Sequence, residues 1–175
     1  MDLPKRKKNR LDDYDYSHNG AYFITICTRN HKEILCKIVG DGACDIPQIN
    51  LSYFGKIADK YIRIMNSKYE NICIPKYVIM PNHIHLIIRI NDVKETVRRQ
   101  APETVRRQAP NPTNAIVPKF ISLFKRYCNQ EIGEKIWQRS YYDHIIRDQN
   151  DYNEIWEYID TNPKKWILTH KTQDA

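Results

Sequence analysis

Two apolar segments of strand length, joined by a short turn, are the feature that most constrains the fold of this chain. NICIPKYVIM (residues 71–80) and HIHLIIRI (residues 83–90) are rich in β-branched residues, and Met80, Pro81 and Asn82 make the turn. Such segments are typical of buried strands, and so short a turn makes them antiparallel neighbours. Pro75 interrupts the first segment and predicts an edge strand or a bulge there.

Apolar periodicity outside this hairpin predicts further elements. Alternating residues indicate strands, and apolar residues at steps of three and four indicate helices. In chain order we expect a strand at 21–30, a short excursion and a loop at 31–50, a helix at about 51–66 with Asn50 or Ser52 as its N-cap, a helix at about 113–131 and a strand at 137–148.

A last helix is predicted in DYNEIWEYIDTNP. The spacing of Asp151 and Glu154 resembles a capping box, and we expect the helix to end at Asn162 because the residue before Pro163 disfavours the α region. The elements then follow the order β-α-β-β-α-β with one helix added. The predicted fold class is α+β, with a ferredoxin-like antiparallel sheet, helices on one face and a C-terminal helix that carries a candidate tyrosine.

Composition indicates a globular protein of one domain. The chain has 175 residues, of which 41% are hydrophobic and 28% charged. No apolar run approaches the roughly 20 residues of a membrane span, and the five cysteines form no C-x-x-C pair. We expect a cytoplasmic protein with a basic flexible arm at 1–20 and a single domain at 21–170.

The charge balance favours a polyanionic partner. Lys and Arg total 28 against 21 acidic residues, a formal charge of +7, and several of these cations are clustered. The alternative is a merely solvated surface. The candidate DNA contacts are Lys5, Arg6, Lys7 and Lys8 in the arm and Lys125 and Arg126 in the second helix.

A tandem repeat separates the third predicted strand from the second helix. The octapeptide ETVRRQAP occurs at 95–102 and again at 103–110, without apolar periodicity. Two copies of eight residues are too few and too short for a solenoid. We expect an exposed insert at 92–112, and a basic hairpin that contacts DNA is the alternative.

Two histidines at the start of a buried strand indicate a metal half-site. Residues i and i+2 of a strand share a face, so His83 and His85 present their imidazoles side by side while Ile84 points to the opposite face. Hydrogen-bonded or surface histidines at this spacing are the alternative. No cysteine has a suitable spacing with the pair for zinc.

Tyr158 and Asn162 are candidates for the same site. They are four residues apart, hence neighbours on one face of the last helix, whereas Tyr152 belongs to its apolar stripe. For Tyr158 the alternative is a boundary aromatic with its hydroxyl in water. His144 is an auxiliary candidate as an acid, a base or a DNA contact, or else a structural histidine beside Asp143.

MPNHIHLII followed by DYNEIWEYIDTNP closely resembles the REP-associated tyrosine transposases, relatives of the single-tyrosine HUH transposases of bacterial insertion sequences. The resemblance covers residues 21–168, and WQRSYYDH (137–144) also looks like the family's strand before the tyrosine helix. It implies that His83, His85 and Asn162 are metal ligands and that Tyr158 is the nucleophile. The ETVRRQAP duplication departs from the family and puts in doubt any DNA contact carried over to that connection.

The resemblance implies that residues 21–170 form a catalytic domain and that the protein is nucleoid-associated. The implied activity is nicking of single-stranded DNA and transfer of the strand through a 5′-phosphotyrosine intermediate, at hairpin-forming palindromic sequences. The implied cofactor is Mg²⁺ or Mn²⁺, and the implied partner is single-stranded or hairpin DNA, bound by a monomer or a homodimer. A non-catalytic DNA-binding module, specific for a sequence or a hairpin, is the alternative. Replication initiators and plasmid relaxases share the chemistry but usually carry additional domains.

Overall fold

The structure, a computed structural model, describes residues 19–40, 46–91 and 116–171. Its elements follow the predicted order, with one added pair of short strands. The strands are β1 (Gly20–Cys27), β2 (Cys36–Val39), β3 (Gln48–Leu51), β4 (Ile72–Ile79), β5 (His83–Ile90) and β6 (Tyr142–Ile146). The helices are α1 (Tyr53–Lys68), α2 (Ile116–Ile132) and α3 (Gln149–Lys171), and a 3₁₀ turn spans Arg29–His31.

Four strands form one antiparallel sheet in the order β4-β5-β1-β6. Within it, His85 of β5 lies opposite Thr25 of β1 on one side and Val78 of β4 on the other. With α1 between β1 and β4, and α2 between β5 and β6, the order is that of a ferredoxin-like fold. The predicted α+β class and its C-terminal helix are confirmed.

The sheet buries apolar side chains on both faces. Ile84, Leu86 and Ile88 of β5 belong to the core that includes α1 and α2. Ile87 packs instead in a second core with Ile159 of α3. Because successive strand side chains alternate between faces, His83 and His85 lie on the α3 face of the sheet.

The edge strand β4 has the irregularity that its proline predicts. The register with β5 shifts between Cys73 and Lys76, on either side of Ile74 and Pro75. Proline cannot donate a hydrogen bond to the ladder, so a bulge on an edge strand accommodates it at least cost.

The prediction of only an excursion and a loop at 31–50 was wrong. β2 and β3 pair there as a separate two-stranded sheet, with Cys36 opposite Leu51. Ile38 and Ile49 pack against the α3 core, and the Cys36 thiol donates to the Ile79 carbonyl at 3.2 Å. These contacts stabilise strands that their own short sequences do not predict.

The start of α1 is fixed by its cap and by one glycine. Ser52 is the N-cap, as one of the two predicted alternatives, and its hydroxyl accepts from the Gly55 N–H at 3.2 Å. A Cβ on Gly55 would clash with the backbone carbonyl of Leu35. Only glycine therefore lets the helix pack this close to the segment before β2.

The predicted start and end of the last helix were both wrong. α3 begins at Gln149, because the Asp148 carboxylate accepts from the Asp151 N–H at 2.9 Å and caps the helix. It also continues through Pro163 to Lys171. A proline inside a helix costs about 3 kcal/mol, but burial of Ile159 and Ile167 on either side stabilises by roughly 1.5–3 kcal/mol each.

The fourth predicted strand is shorter than 137–148. β6 covers Tyr142–Ile146, and Trp137 forms only an isolated bridge with Thr28. Between Trp137 and β6, the carbonyls of Gln138 and Ser140 accept from the Lys125 ammonium of α2.

Residues 1–18 and 92–115 lie outside the described part of the chain. The basic arm with Lys5, Arg6, Lys7 and Lys8, and the repeat insert at 92–112, therefore stay predictions. None of the helices in the described ranges combines the length and the hydropathy that crossing a lipid bilayer requires.

Candidate active site

The two histidines of β5 converge as the strand geometry predicts. The Nε2 atoms of His83 and His85 lie 3.0 Å apart on the α3 face, while Ile84 between them is fully buried on the other face. Pairing with β1 and β4 on both sides holds this part of β5 in place. Two side-chain nitrogens are thus fixed close together by the sheet itself.

Each imidazole is oriented by a hydrogen bond at its other nitrogen. Nδ1 of His83 lies 2.6 Å from Oδ1 of Asn82, and Nδ1 of His85 lies 2.9 Å from Oγ1 of Thr25. Since Oδ1 can only accept, His83 carries its proton on Nδ1 and has a free lone pair on Nε2. Partners of this kind fix the tautomer of metal-binding histidines.

Burial keeps both imidazoles neutral at physiological pH. It lowers the pKa of His83 to about 4, with a further lowering by the charge of His31. It also lowers the pKa of His85 to about 3, with His83 as the second cause. A neutral imidazole is the form that binds a metal ion, so the pair needs no deprotonation at neutral pH.

Tyr158 projects from α3 onto His85. Its phenol oxygen lies 3.4 Å from Nε2 of His85, and its ring meets those of His85 and Phe23 at steep angles. The residue is 39% exposed, so the phenol faces both the histidine pair and solvent. The ammonium of Lys165 lies 5.4 Å from the centre of the Tyr158 ring.

Asn162 lies one helical turn beyond Tyr158 and is only 8% exposed. The next turn places Trp166, whose ring centre is 6.2 Å from that of His83. Because Tyr158 contacts His85 and Trp166 contacts His83, helical geometry places Asn162 between them, on the side of α3 that faces the histidine pair. No hydrogen bond of its carboxamide is found within the described part of the chain.

These donors suit a six-coordinate cation. Neighbouring ligands of an octahedral ion at about 2.1 Å lie about 3.0 Å apart, which is the spacing of the two Nε2 atoms. No group of three or more His, Cys, Asp or Glu side chains that could hold a metal occurs in the described ranges. A cation here would therefore depend on the two imidazoles of His83 and His85, the Asn162 amide and its substrate.

His144 is placed near this site but not in it. It pairs with Phe23 across the β1–β6 ladder, and its Nε2 lies 2.9 Å from the Asp151 carboxylate at the start of α3. The same carboxylate accepts from the Arg147 N–H at 3.1 Å. These contacts join β6 to α3, and an acid, base or DNA-binding role for His144 stays a prediction.

The two cations of the second helix differ in their surroundings. The Lys125 ammonium donates to the carbonyls of Gln138 and Ser140 at 2.9 and 2.8 Å. Arg126 is exposed, with its guanidinium 5.4 Å from the centre of the Tyr127 ring. Contact of either side chain with DNA stays a prediction. Arg126 could reach a phosphate without breaking hydrogen bonds such as those that hold Lys125.

Sequence reasoning missed four residues of the site: Thr25, Asn82, Phe23 and Trp166. Phe23 stacks on His85 with ring centres 5.1 Å apart. The alternation of β1 puts Phe23 and Thr25 on one face, but only the register with β5 shows that this face meets the histidines. Trp166 was missed because the helix was expected to end before it.

Known proteins resemble this chain in sequence and in structure. No family model matches the sequence. A Haemophilus influenzae protein described as uncharacterized is 33% identical over 168 residues, which make up 92% of this chain and 89% of that protein. Another protein of that species, described as a "Putative REP-associated tyrosine transposase", is 26% identical over 159 residues, or 86% of this chain and 74% of the relative.

The fold of the chain agrees with its similarity in sequence to the transposase. A solved structure of a REP-associated tyrosine transposase bound to a REP hairpin matches with a TM-score of 0.60 at 18% identity, over 91% of this chain and 74% of that one. In sequence and in fold the chain is similar to REP-associated tyrosine transposases. The predicted resemblance to this family is thereby confirmed, and the two sequence motifs that suggested it meet at one place on the α3 face.

Proposed function

We propose that this protein is a metal-dependent enzyme that nicks single-stranded DNA and transfers the strand through a 5′-phosphotyrosine intermediate. The observation that carries the proposal is the 3.4 Å approach of the Tyr158 phenol oxygen to Nε2 of His85, beside the second imidazole. A nucleophile and a pair of metal-binding nitrogens on separate elements have little structural reason to converge at a partly exposed position.

His83, His85 and Asn162 would hold a divalent cation, Mg²⁺ or Mn²⁺. A bound cation supplies Lewis acidity that polarises a phosphoryl oxygen and offsets the negative charge of the transition state. Imidazole ligands favour Mn²⁺ intrinsically, and availability favours Mg²⁺. Thr25 and Asn82 would keep both Nε2 lone pairs directed at the cation by accepting the Nδ1 protons.

Tyr158 would make the covalent bond. Its phenol oxygen attacks the phosphorus of the scissile diester and loses its proton, the bond from phosphorus to the 3′ oxygen breaks, and that oxygen takes up a proton as a free 3′-hydroxyl. One phosphate ester replaces another, so the bond energy is conserved. The 3′-hydroxyl of another strand can then attack the phosphotyrosine, and strand transfer needs no nucleotide cofactor.

Hairpin DNA is the proposed substrate class. The protein of similar fold binds a REP hairpin, and a relative in sequence bears the name of the same transposases. The formal charge of +7 adds an attraction to phosphates that is independent of sequence. Tyr158 is partly exposed to solvent, so a polymeric substrate can reach its phenol oxygen.

The proposal is tested by covalent trapping. The purified protein is incubated with labelled hairpin oligonucleotides taken from around its own gene, in Mn²⁺, Mg²⁺ or EDTA, and separated on a denaturing gel. We expect a protein–DNA adduct that forms with either cation and not in EDTA. Hairpin binding without any adduct, across cations and substrates, would instead identify a non-catalytic DNA-binding module.

A further inference from the structure

A cleft lined by basic residues lies beside the histidine pair and takes no part in the chemistry proposed above. It has a volume of about 540 Å³ and lies between the 3₁₀ turn, α2 and the segment that follows α2. We call it the cationic cleft and define it by Arg29, Lys125, Lys135, Trp137, Gln138 and Arg139. Within the described ranges its lining holds four cations and no carboxylate.

Three of these cations are exposed and available to a ligand. No ion pair involving Arg29, Lys135 or Arg139 is found in the part of the chain that the structure describes, and all three are exposed. Lys125 is different, because two of its N–H groups are taken by the carbonyls of Gln138 and Ser140. It therefore fixes the wall of the cleft, and three free cations line the opening.

The backbone connects the cleft directly to the histidine pair. Cys27, the last residue of β1, lies opposite His83, and Arg29 is two residues further along, a reach of at most roughly 7 Å. Between them, the Thr28 N–H donates to the Asn82 carbonyl at 2.9 Å. Asn82, which orients His83, is thus hydrogen-bonded to Thr28, and Thr28 is the chain neighbour of Arg29 in the cleft.

A side-chain contact makes the same connection. The amide of Gln138 lies 3.0 Å from Nε2 of His31. His31 in turn lies close enough to His83 for its charge to act on that imidazole. The cleft and the catalytic site are therefore adjacent along one edge of the protein.

We propose that the cationic cleft binds the sugar–phosphate backbone of the single-stranded DNA that leaves the active site past His83. This inference rests on the proposed function, whose substrate path it defines. Guanidinium groups bind phosphate oxygens in pairs and ammonium groups bind them as point charges, without reading the base. The cleft therefore positions the strand, and base recognition belongs elsewhere.

The test compares three DNA ligands and two protein variants. The ligands are a blunt hairpin and the same hairpin with a single-stranded extension on its 5′ or its 3′ side. Binding is measured by fluorescence anisotropy in EDTA over a range of salt concentrations. The cleft variant is Lys135→Gln with Arg139→Gln, and the matched control removes two exposed charges from α1 through Lys56→Gln with Lys68→Gln.

We expect the cleft variant to bind at least one extended hairpin about tenfold more weakly than wild type, with a salt slope smaller by about 1.4. Its affinity for the blunt hairpin and all affinities of the control should match wild type. Unchanged affinity for both extended hairpins would overturn the proposal. So would an equal loss on the blunt hairpin, or wild-type protein that binds extended and blunt hairpins equally.

The two proposals fail in different ways. Binding in EDTA involves no bond cleavage, so a protein that forms no phosphotyrosine adduct would still show the loss in the cleft variant. Both substituted side chains are exposed and leave the Lys125 contacts intact, and unchanged thermal unfolding would verify that the cleft variant folds.

Discussion

The phenol oxygen of Tyr158 and Nε2 of His85 lie 3.4 Å apart although 73 residues separate them in the chain. Two elements create this approach: β5 fixes the histidine within the sheet, and α3 crosses the same face. Phe23 of β1 supports both rings, stacking on His85 and meeting Tyr158 edge-on. The described residues of one chain thus bring the proposed nucleophile and the imidazole pair together.

Replacement of the phenol separates chemistry from binding. Tyr158→Phe keeps the ring that packs against His85 and Phe23 but removes the attacking oxygen. We expect no covalent adduct on a denaturing gel, with hairpin affinity within about twofold of wild type because phosphate contacts dominate affinity.

Tyr152→Phe is the matched control for this experiment. Tyr152 is half-buried on the same helix, packs against Trp156 and lies away from the histidines. The Tyr152→Phe variant should form the adduct at the wild-type rate. An undiminished adduct in Tyr158→Phe would assign the nucleophile to another residue.

Loss of the Thr25 hydroxyl should weaken cation binding. Its Oγ1 lies 2.9 Å from Nδ1 of His85, and such outer partners typically change metal affinity or activity by about 10–100-fold. In Thr25→Val, the Mn²⁺ concentration for half-maximal adduct formation should rise by about that factor. Thr25→Ser retains the hydroxyl and should restore the wild-type value. Equal Mn²⁺ requirements in Val and Ser variants would contradict the role of Thr25.

The sequence predicted the parts of the site that depend on local geometry. The shared face of His83 and His85 follows from strand alternation, and the neighbourhood of Tyr158 and Asn162 follows from the helical repeat. That the strand meets the helix followed only from the family resemblance. The register that puts Thr25 opposite His85 is set by pairing of β1 with β5, which no local pattern contains.

The errors in the predicted fold have tertiary causes. Pro163 was expected to end the last helix, but burial of Ile159 before it and of Ile167 after it carries α3 past the proline. β2 and β3 were missed because their short sequences gain stability only by packing against the α3 core. In each case burial against another element outweighs a local signal.

Lys165 is expected to contribute to the reaction rate. Its ammonium lies 5.4 Å from the centre of the Tyr158 ring, on the helix face of the nucleophile, and it can stabilise charge on the attacked phosphate. Lys165→Gln should slow adduct formation roughly tenfold at saturating DNA, a modest factor because solvent screens an exposed charge.

Lys164 provides the control, since it lies about 120° around the helix from Tyr158 whereas Lys165 lies about 20° away. Lys164→Gln should leave the rate at saturating DNA unchanged, and Lys165→Arg should recover most of it. If both glutamine variants bind DNA more weakly but keep the wild-type rate at saturating DNA, the two lysines bind DNA without assisting the chemistry.

The start of α3 should confer a pH-dependent part of the stability. Burial would raise the pKa of Asp151, but hydrogen bonds from His144 and from the Arg147 N–H outweigh it, and the pKa is lowered. A carboxyl whose pKa is lower in the folded state stabilises above its unfolded pKa of about 3.9. That contribution is lost as the pH falls through the folded pKa.

Asp151→Asn should therefore lower the Tm by about 2–4 °C at pH 7, and the difference should shrink as the pH falls below about 4. Asp148→Asn is the control, because asparagine caps a helix as well as aspartate does. Thermal unfolding followed by circular dichroism measures both. If the Tm of Asp151→Asn lies as far below that of wild type at pH 3 as at pH 7, ionisation of this carboxyl is not the cause of the difference.

Asn162 should contribute to cation binding and not to the stability of the metal-free fold. It is 8% exposed and has no hydrogen bond within the described residues, so replacing it by leucine of similar shape removes a polar group without a partner. In EDTA the Tm of Asn162→Leu should equal or exceed that of wild type. With Mn²⁺ at 100 times its Kd, wild type should gain about 5–10 °C, and Asn162→Leu should gain much less.

The control for this prediction is Asn153→Leu, an exposed asparagine on the same helix that bonds to Gln149. It should keep the full Mn²⁺-induced rise in Tm. The readout is independent of DNA cleavage, because it compares the stability of the protein with and without the cation. An equal rise in wild type and Asn162→Leu would remove Asn162 from the ligand set and leave the two imidazoles to bind the cation without it.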